Sequence, residues 1–108
     1  MADSCKQYFD EILPAKLSAH PELAEKVGAI YQFKITGEGG GDWTVDLVKN
    51  EVREGDDADA KCTVTVADAD FLKVIDGSLN AQMAFMSGKL KIGGDLSLAM
   101  KLGEVLKA

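Results

Sequence analysis

Little in this chain is suited to covalent or metal chemistry. Its 108 residues include one histidine, two cysteines, two prolines and one tryptophan. A Cys/His or Ser/His/Asp apparatus would have to use His20, which sits beside Pro21 in an expected break, and nothing around it supports such a role. Cys5 and Cys62 lie far apart and in no CxxC or other ligand spacing, so no metal centre or redox pair is expected. Both read as free thiols of a reducing compartment, and Cys62, inside a valine-rich alternation, as a small core residue. The acidic loop "DDAD" lacks the central glycine and closing glutamate of an EF-hand. The expectation is a protein that is not an enzyme and holds no cofactor.

A long apolar run is also missing. No stretch approaches the ~20 apolar residues of a membrane span. The N-terminal "MADSCKQYFDEILPAKL" carries early acids and no signal-peptide core. The C-terminal "LKA" is not an SKL-type peroxisomal address, so a cytoplasmic protein is expected. Positive charge is scarce: 12 basic residues stand against 18 acidic ones, a formal net charge of −6. That argues against a phosphate-neutralising nucleic-acid face and against purely electrostatic adhesion to anionic membranes. A local basic patch remains compatible with it.

What is present is ordinary globular material, 46% hydrophobic and 28% charged. The length suits one domain over residues 1–108 with its own core. Ser4, with Gln7 three residues on, is expected to cap a first helix bearing Tyr8, Phe9, Ile12 and Leu13. Pro14 is expected to end or kink it, because proline lacks an N–H and crowds the preceding turn. After the His20–Pro21 break, "PELAEKVG" reads as a short helix stopped by Gly28.

From Ala29 the period changes to two. Tyr31, Phe33 and Ile35 alternate with Gln32, Lys34 and Thr36; Trp43, Val45 and Leu47 alternate with Thr44, Asp46 and Val48. A weak strand spans Val52 to Glu54. Cys62, Val64 and Val66 alternate with Thr63 and Thr65, and Leu90 and Ile92 with Lys89 and Lys91. "GEGGGD" and "EGDDADA" are loops within the domain. One apolar and one polar face per strand predicts an α+β fold, its sheet covered by helices on one side and wet on the other. Asp68 or Asp70 is expected to cap a helix with Phe71, Leu72, Val74 and Ile75, ended by Gly77. Asn80 is expected to cap "AQMAFMS", closed by Gly88. Gly93–Gly94 is expected to turn the chain into a last helix from Asp95, with Lys107 suited to its negative end.

That last helix is apolar on more than one side. Leu98, Leu102 and Val105 make one stripe, while Leu96, Ala99, Met100 and Gly103 lie elsewhere on its surface. Met83, Phe85 and Met86 behave alike on the helix before, and methionine adapts to irregular apolar shapes. Plain core, a dimer interface and a ligand cavity all fit this pattern.

Five stretches then acquire a common meaning. "IYQF", "WTVDL", "KCTVTVADADFL", "GSLNAQMAFMSGKL" and "AFMSGKLKIGGDLSLAMKL", in this order between about Glu22 and Leu106, resemble the sterol carrier protein two domain family, the non-specific lipid transfer proteins. The resemblance implies a five-stranded, mainly antiparallel sheet with helices covering one face and enclosing a hydrophobic tunnel. It implies a carrier, not a catalyst, whose partner is a fatty acid, fatty acyl-CoA, sterol or phospholipid; transient membrane contact, no nucleic acid and a monomeric state are expected beside it. Longer members carry a C-terminal extension that this sequence does not match.

The family's general location and the strand alternation together give an expected lipid wall. It comprises Phe33, Ile35, Trp43, Val45, Ile75, Phe85, Met86, Leu98, Met100 and Leu102, with Gln82 either a polar contact or a solvent-exposed helix side chain and Trp43 equally a core residue. Lys89, Lys91 and Lys101 fit a solvated face, and alternatively a headgroup contact at the tunnel mouth. The rival to a carrier is an interaction or accessory domain, one that dimerises or presents acyl-CoA to a lipid-oxidation enzyme.

Overall fold

Ser4 opens the first helix as expected, its hydroxyl accepting the Gln7 N–H at 3.1 Å. The computed structural model describes residues 4–56, 58–95, 97–98 and 100–101. Helix α1 (Cys5–Gln7) runs directly into a π-helical turn at Tyr8–Ile12 and then into α2 (Leu13–Ala19). Pro14 therefore does not end the helix. The turn before it widens instead, with the Leu13 N–H reaching back to the Tyr8 carbonyl, and Pro14 falls in the first turn of α2, where its missing donor costs little. The chain breaks at His20, and α3 (Pro21–Val27) follows, closed by Gly28.

Five strands form one sheet in the order β3-β2-β1-β4-β5. They are β1 (Ile30–Thr36), β2 (Gly41–Asp46), β3 (Glu51–Glu54), β4 (Cys62–Ala67) and β5 (Leu90–Gly94). β1, β2 and β3 form an antiparallel meander, and β5 is antiparallel to β4. The central pair β1–β4 is parallel, because β4 returns to the other side of β1 after the meander. The fold is α+β with a mixed, mostly antiparallel sheet. In the β1–β2 hairpin a Cβ on Gly40 would stand 2.0 Å from the Ile35 carbonyl oxygen, so only glycine fits that approach.

Helix α4 (Asp68–Asp76) follows β4 directly and ends at Gly77; α5 (Ala81–Met86) precedes β5. Asn80 caps α5, accepting the Gln82 N–H at 2.8 Å. Neither Asp68 nor Asp70 is the cap of α4; that position is Ala67, and Asp68 is already helical. Its carboxylate instead accepts the N–H groups of Gly39 at 2.9 Å and Ala69 at 2.8 Å, tying the β1–β2 loop to the helix start. Gly93 and Gly94 are not the expected turn but the end of β5, paired with Thr63 and Cys62. At Gly94, φ is +90° and a Cβ would meet the Lys61 carbonyl oxygen at 2.4 Å. Asp95 accepts the Ser97 N–H at 2.9 Å, and Ser97, Leu98, Met100 and Lys101 are helical, as expected for a helix starting there. Leu96, Ala99, Leu102 and Lys107 lie outside the described residues. No helix among the described residues is long and apolar enough to cross a membrane.

The alternation predicted the inner face correctly: Tyr31, Phe33, Ile35, Trp43, Val45, Cys62, Val64, Val66 and Leu90 are all buried. It misjudged the outer face over β1 and β2. Gln32, Thr44 and Asp46, expected to be wet, are each no more than 3% exposed. Backbone at Gly55 closes over this face, its carbonyl accepting from Thr44 Oγ1 at 2.8 Å and from Gln32 Nε2 at 3.4 Å. Asp46 accepts the Val48 and Lys49 N–H groups, each at 2.9 Å, and Arg53 Nη1 at 3.0 Å. Burial alone would raise its pKa; these donors and the guanidinium outweigh that and hold the carboxyl below its usual range. A buried polar face is tolerated because its groups find partners at this short range.

Candidate functional site

The inward face of the sheet is built from cross-strand rows. One row runs Trp43, Phe33, Val64 and Ile92, where Trp43 and Val64 flank Phe33 and Ile92 faces Val64. A second joins Val45, Tyr31 and Cys62; a third joins Ile35, Val66 and Leu90. Such neighbours stand close enough to make a continuous apolar floor.

Two different covers lie over it. Above β1 and β2 the cover is aromatic. Phe9, from the π-helical turn, stacks on Trp43 with ring centroids 4.6 Å apart and on Phe71 at 5.1 Å, and lies 5.1 Å from Phe33. Tyr8 meets both Phe9 and Phe71 edge-on at 5.6 Å. The extra residue of the π-turn thus falls where the helix touches the sheet. Cys5 completes this end, its thiol donating to the Asp68 carbonyl at 3.6 Å. Burial, helped by the Asp68 carboxylate, pushes its pKa up to about 11 and keeps it protonated and unreactive.

Toward the β5 edge the cover thins: Val64 and Val66 of β4 are as buried as Trp43, but Ile92 of β5 is only half-buried. Ile75 from α4 and Leu98 from the closing segment are half-buried and pack against the core. Among the described side chains of α5 only Ala84 is buried. The Tyr31 hydroxyl crosses from β1 to donate a hydrogen bond to the Leu98 carbonyl. Burial raises the Tyr31 pKa, with the charges of Cys62 and Asp95 adding to it, so this group stays a neutral donor.

The expected wall residues therefore fall into three groups. Phe33, Ile35, Trp43 and Val45 share the buried floor, with Trp43 lying directly against Phe9. Its indole Nε1 is buried with no hydrogen-bond acceptor among the described residues. Ile75 and Leu98 lie half-buried at the partial cover. Gln82, Phe85, Met86 and Met100 stand on the exposed side, Phe85 at 42%, Met86 at 77% and Met100 at 81% exposure. Leu102 lies outside the described residues.

The expected lipid wall left out Tyr31, Val64, Val66, Leu90 and Ile92, although the alternation places all five in the same strand pattern as Phe33. Sequence reasoning also overlooked Phe9 as the cover of Trp43, which no local pattern reveals. His20 is exposed at the α2–α3 break, its Nδ1 3.1 Å from a Glu22 carboxylate oxygen.

The chain matches the SCP-2 sterol transfer family over residues 9–107. It is 45% identical to human sterol carrier protein 2 over 99 residues, which make up 87% of this chain and 18% of that protein. The chain thus spans less than a fifth of the length of the curated relatives it matches most strongly. Among solved structures it resembles the apo form of sterol carrier protein 2 from Yarrowia lipolytica, with TM-score 0.82 and 28% identity, covering 99% of this chain and 94% of that one. It also resembles the Aedes aegypti sterol carrier protein-2 complex with palmitate, with TM-score 0.65 and 25% identity, covering 88% of this chain and 94% of that one.

Proposed function

Because the chain belongs to the SCP-2 sterol transfer family, we propose that it is a reversible, non-catalytic carrier of a fatty acid, fatty acyl-CoA, sterol or phospholipid. It acts as a monomer, with residues 1–108 forming one lipid-binding unit in the cytoplasm. The lipid's apolar body lies between the sheet and its partial cover. The floor beneath it runs from Ile92, Leu90, Val66 and Val64 to Phe33 and Ile35 of the adjoining β1 and ends against Trp43 and Val45 under Phe9, and Ile75 and Leu98 contribute from the helical side. Phe85, Met86 and Met100 form the open margin, where Gln82 meets the polar end. Leu102 belongs to the same proposal.

The observation that carries this reading is the contrast in cover over one continuous apolar floor. The β1–β2 half is sealed by stacked rings, while toward the β5 edge Ile92, Ile75 and Leu98 are only half-buried and α5 buries little of itself. Each methylene removed from water contributes about 0.8 kcal/mol, so a long acyl chain supplies on the order of 10 kcal/mol before the costs of association. Such a site needs few directional contacts. It discriminates weakly between lipids, since one methylene changes affinity only modestly.

Native mass spectrometry and palmitate titration test the proposal. A monomer with co-purified lipid, or one that takes up palmitate, is the expected result. A chain that carries no lipid and takes up no palmitate overturns it. Emission from Trp43, the one tryptophan, reports whether the bound chain reaches the floor beneath Phe9. An unchanged spectrum during proven uptake removes Trp43 from the wall.

A second reading is an accessory role, presenting bound lipid to an enzyme. The small share of its longer relatives that this chain spans favours it. Stable co-elution with a lipid-metabolising enzyme would distinguish it from free carriage.

A further inference from the structure

The inner side of the sheet buries a polar atom that the fold leaves without a partner. Other polar side chains covered there are satisfied. The Tyr31 hydroxyl donates to the Leu98 carbonyl, the Cys5 thiol donates to the Asp68 carbonyl, and the Tyr8 hydroxyl accepts from Lys16 Nζ at 3.5 Å. Trp43 is only 3% exposed, yet its Nε1 has no acceptor among the described residues. Buried donors are rarely left so, because they have given up water and gained nothing in return. Among the described residues one other buried side-chain atom shares this state, Asn50 Oδ1. It belongs to a half-buried turn residue whose amide nitrogen is bonded to the Leu17 carbonyl.

Packing alone does not call for an indole here, since Phe9, Phe33 and Phe71 build the adjoining cluster from phenyl rings. The tip of the indole lies over Gly41, where a Cβ would stand 2.9 Å from Cη2, and its face is stacked on Phe9. The protein thus fills the tip and one face of the ring and offers its N–H nothing. A buried water is a poor occupant. It needs several polar partners, and Trp43 has Phe9 on its face, Phe33 beside it and Gly41 at its tip, none with a polar side chain. A carboxylate is a poor one too. Glu54, directly opposite Trp43 on β3, has the same sign, and Lys6 is engaged with Asp10 and lies 3.9 Å from the Glu54 carboxylate.

We propose that Trp43 Nε1 is the hydrogen-bond donor for an uncharged lipid oxygen, a hydroxyl or a carbonyl, that arrives with its own apolar body along the floor. This rests on the carrier reading and adds an orientation to it. A lipid with a neutral oxygen binds oxygen-inward, against Trp43, whereas a carboxylate stays at the open margin. Discrimination follows from the same atom. An apolar wall barely distinguishes one long chain from another, but a buried unpaired donor favours the lipid that carries an acceptor to it.

Hexadecanol and palmitate share one chain length and differ at the polar end, so comparing them on the full chain tests this. The chain has one tryptophan and therefore one indole N–H resonance. Hexadecanol should move that resonance downfield and slow its exchange with solvent; palmitate should cause no downfield shift. Replacing Trp43 by benzothienylalanine, which keeps the shape and removes the N–H, should lower the ratio of hexadecanol affinity to palmitate affinity about tenfold. Trp43→Phe should lower the same ratio. A ratio is the readout because either change also alters the apolar wall. Hexadecanol uptake by the parent chain with an unmoved indole resonance overturns the proposal, and so does an unchanged ratio in a folded variant. Palmitate uptake without hexadecanol uptake overturns this inference alone. Uptake of neither lipid overturns the carrier reading and this inference with it.

Discussion

β2 and β5 follow the same alternation and meet opposite fates. From Trp43 to Asp46, β2 is buried on both faces, by Phe9 on one side and by the Gly55 backbone and a polar network on the other. In β5 only Leu90 is buried; Ile92 is half-covered, and Lys91, Gly93 and Gly94 are exposed. The difference lies in what the chain brings over each strand. The helical run of α1, the π-turn and α2 delivers a rigid aromatic ring to β2. α5 delivers to β5 little more than Ala84. One sheet is therefore capped by stacked rings at β2 and thinly covered at its β5 edge.

The strongest challenge to this comparison is Phe9→Ala. Phe9 is fully buried and stacked on two rings, so its removal should destabilise the protein by about 3–5 kcal/mol, measured by urea unfolding. A small loss would mean that the rings do not cap β2 in this way. Asp46→Asn probes the other face of β2. Asparagine keeps one oxygen for the Val48 and Lys49 N–H groups but loses the charge and the oxygen that accepts from Arg53, which should cost about 1.5–3 kcal/mol at neutral pH.

The pH dependence of that loss has a definite sign. The Asp46 carboxyl is depressed in the folded protein, so on acidification the unfolded chain takes up this proton first. Its contribution is complete above the ordinary carboxylate pKa of about 4. It is lost as pH falls from there through the folded value. Urea midpoints of the parent and Asp46→Asn should therefore converge in that acid window and separate at neutral pH. The smallest expected effect is Met86→Ala on α5, beside the thinly covered edge. Its side chain is 77% exposed, so stability should stay within about 0.5 kcal/mol while palmitate affinity falls. A large loss of stability would show that α5 is part of the core after all.

Much of the architecture was legible because periodicity is a local property. Tyr31, Phe33 and Ile35 face inward for the same reason that Trp43 and Val45 do, and Ser4, Asn80, Gly28 and Gly77 mark their helix ends in the sequence. The failures had non-local causes. Gln32, Thr44 and Asp46 looked solvent-facing because polar residues usually are, and only the return of the chain at Gly55 and the reach of Arg53 bury them. Pro14 was expected to end or kink its helix, but the run continues through a widened turn just before it, where the Leu13 N–H reaches the Tyr8 carbonyl. The candidate site was half legible: alternation selected its floor, but nothing in the sequence distinguished Trp43 beneath Phe9 from Ile75 at the partial cover.

By itself the sequence determined the strands, their inward faces, the helix stops and the membership that the quoted stretches carry. These depend on the spacing of side chains along one chain, which a backbone of fixed repeat converts directly into faces. Only the tertiary structure decided what covers each part of the apolar floor and which polar residues are buried. Those outcomes depend on what lies above each residue, and the covering groups come from segments as distant as Phe9 and Trp43 or Tyr31 and Leu98.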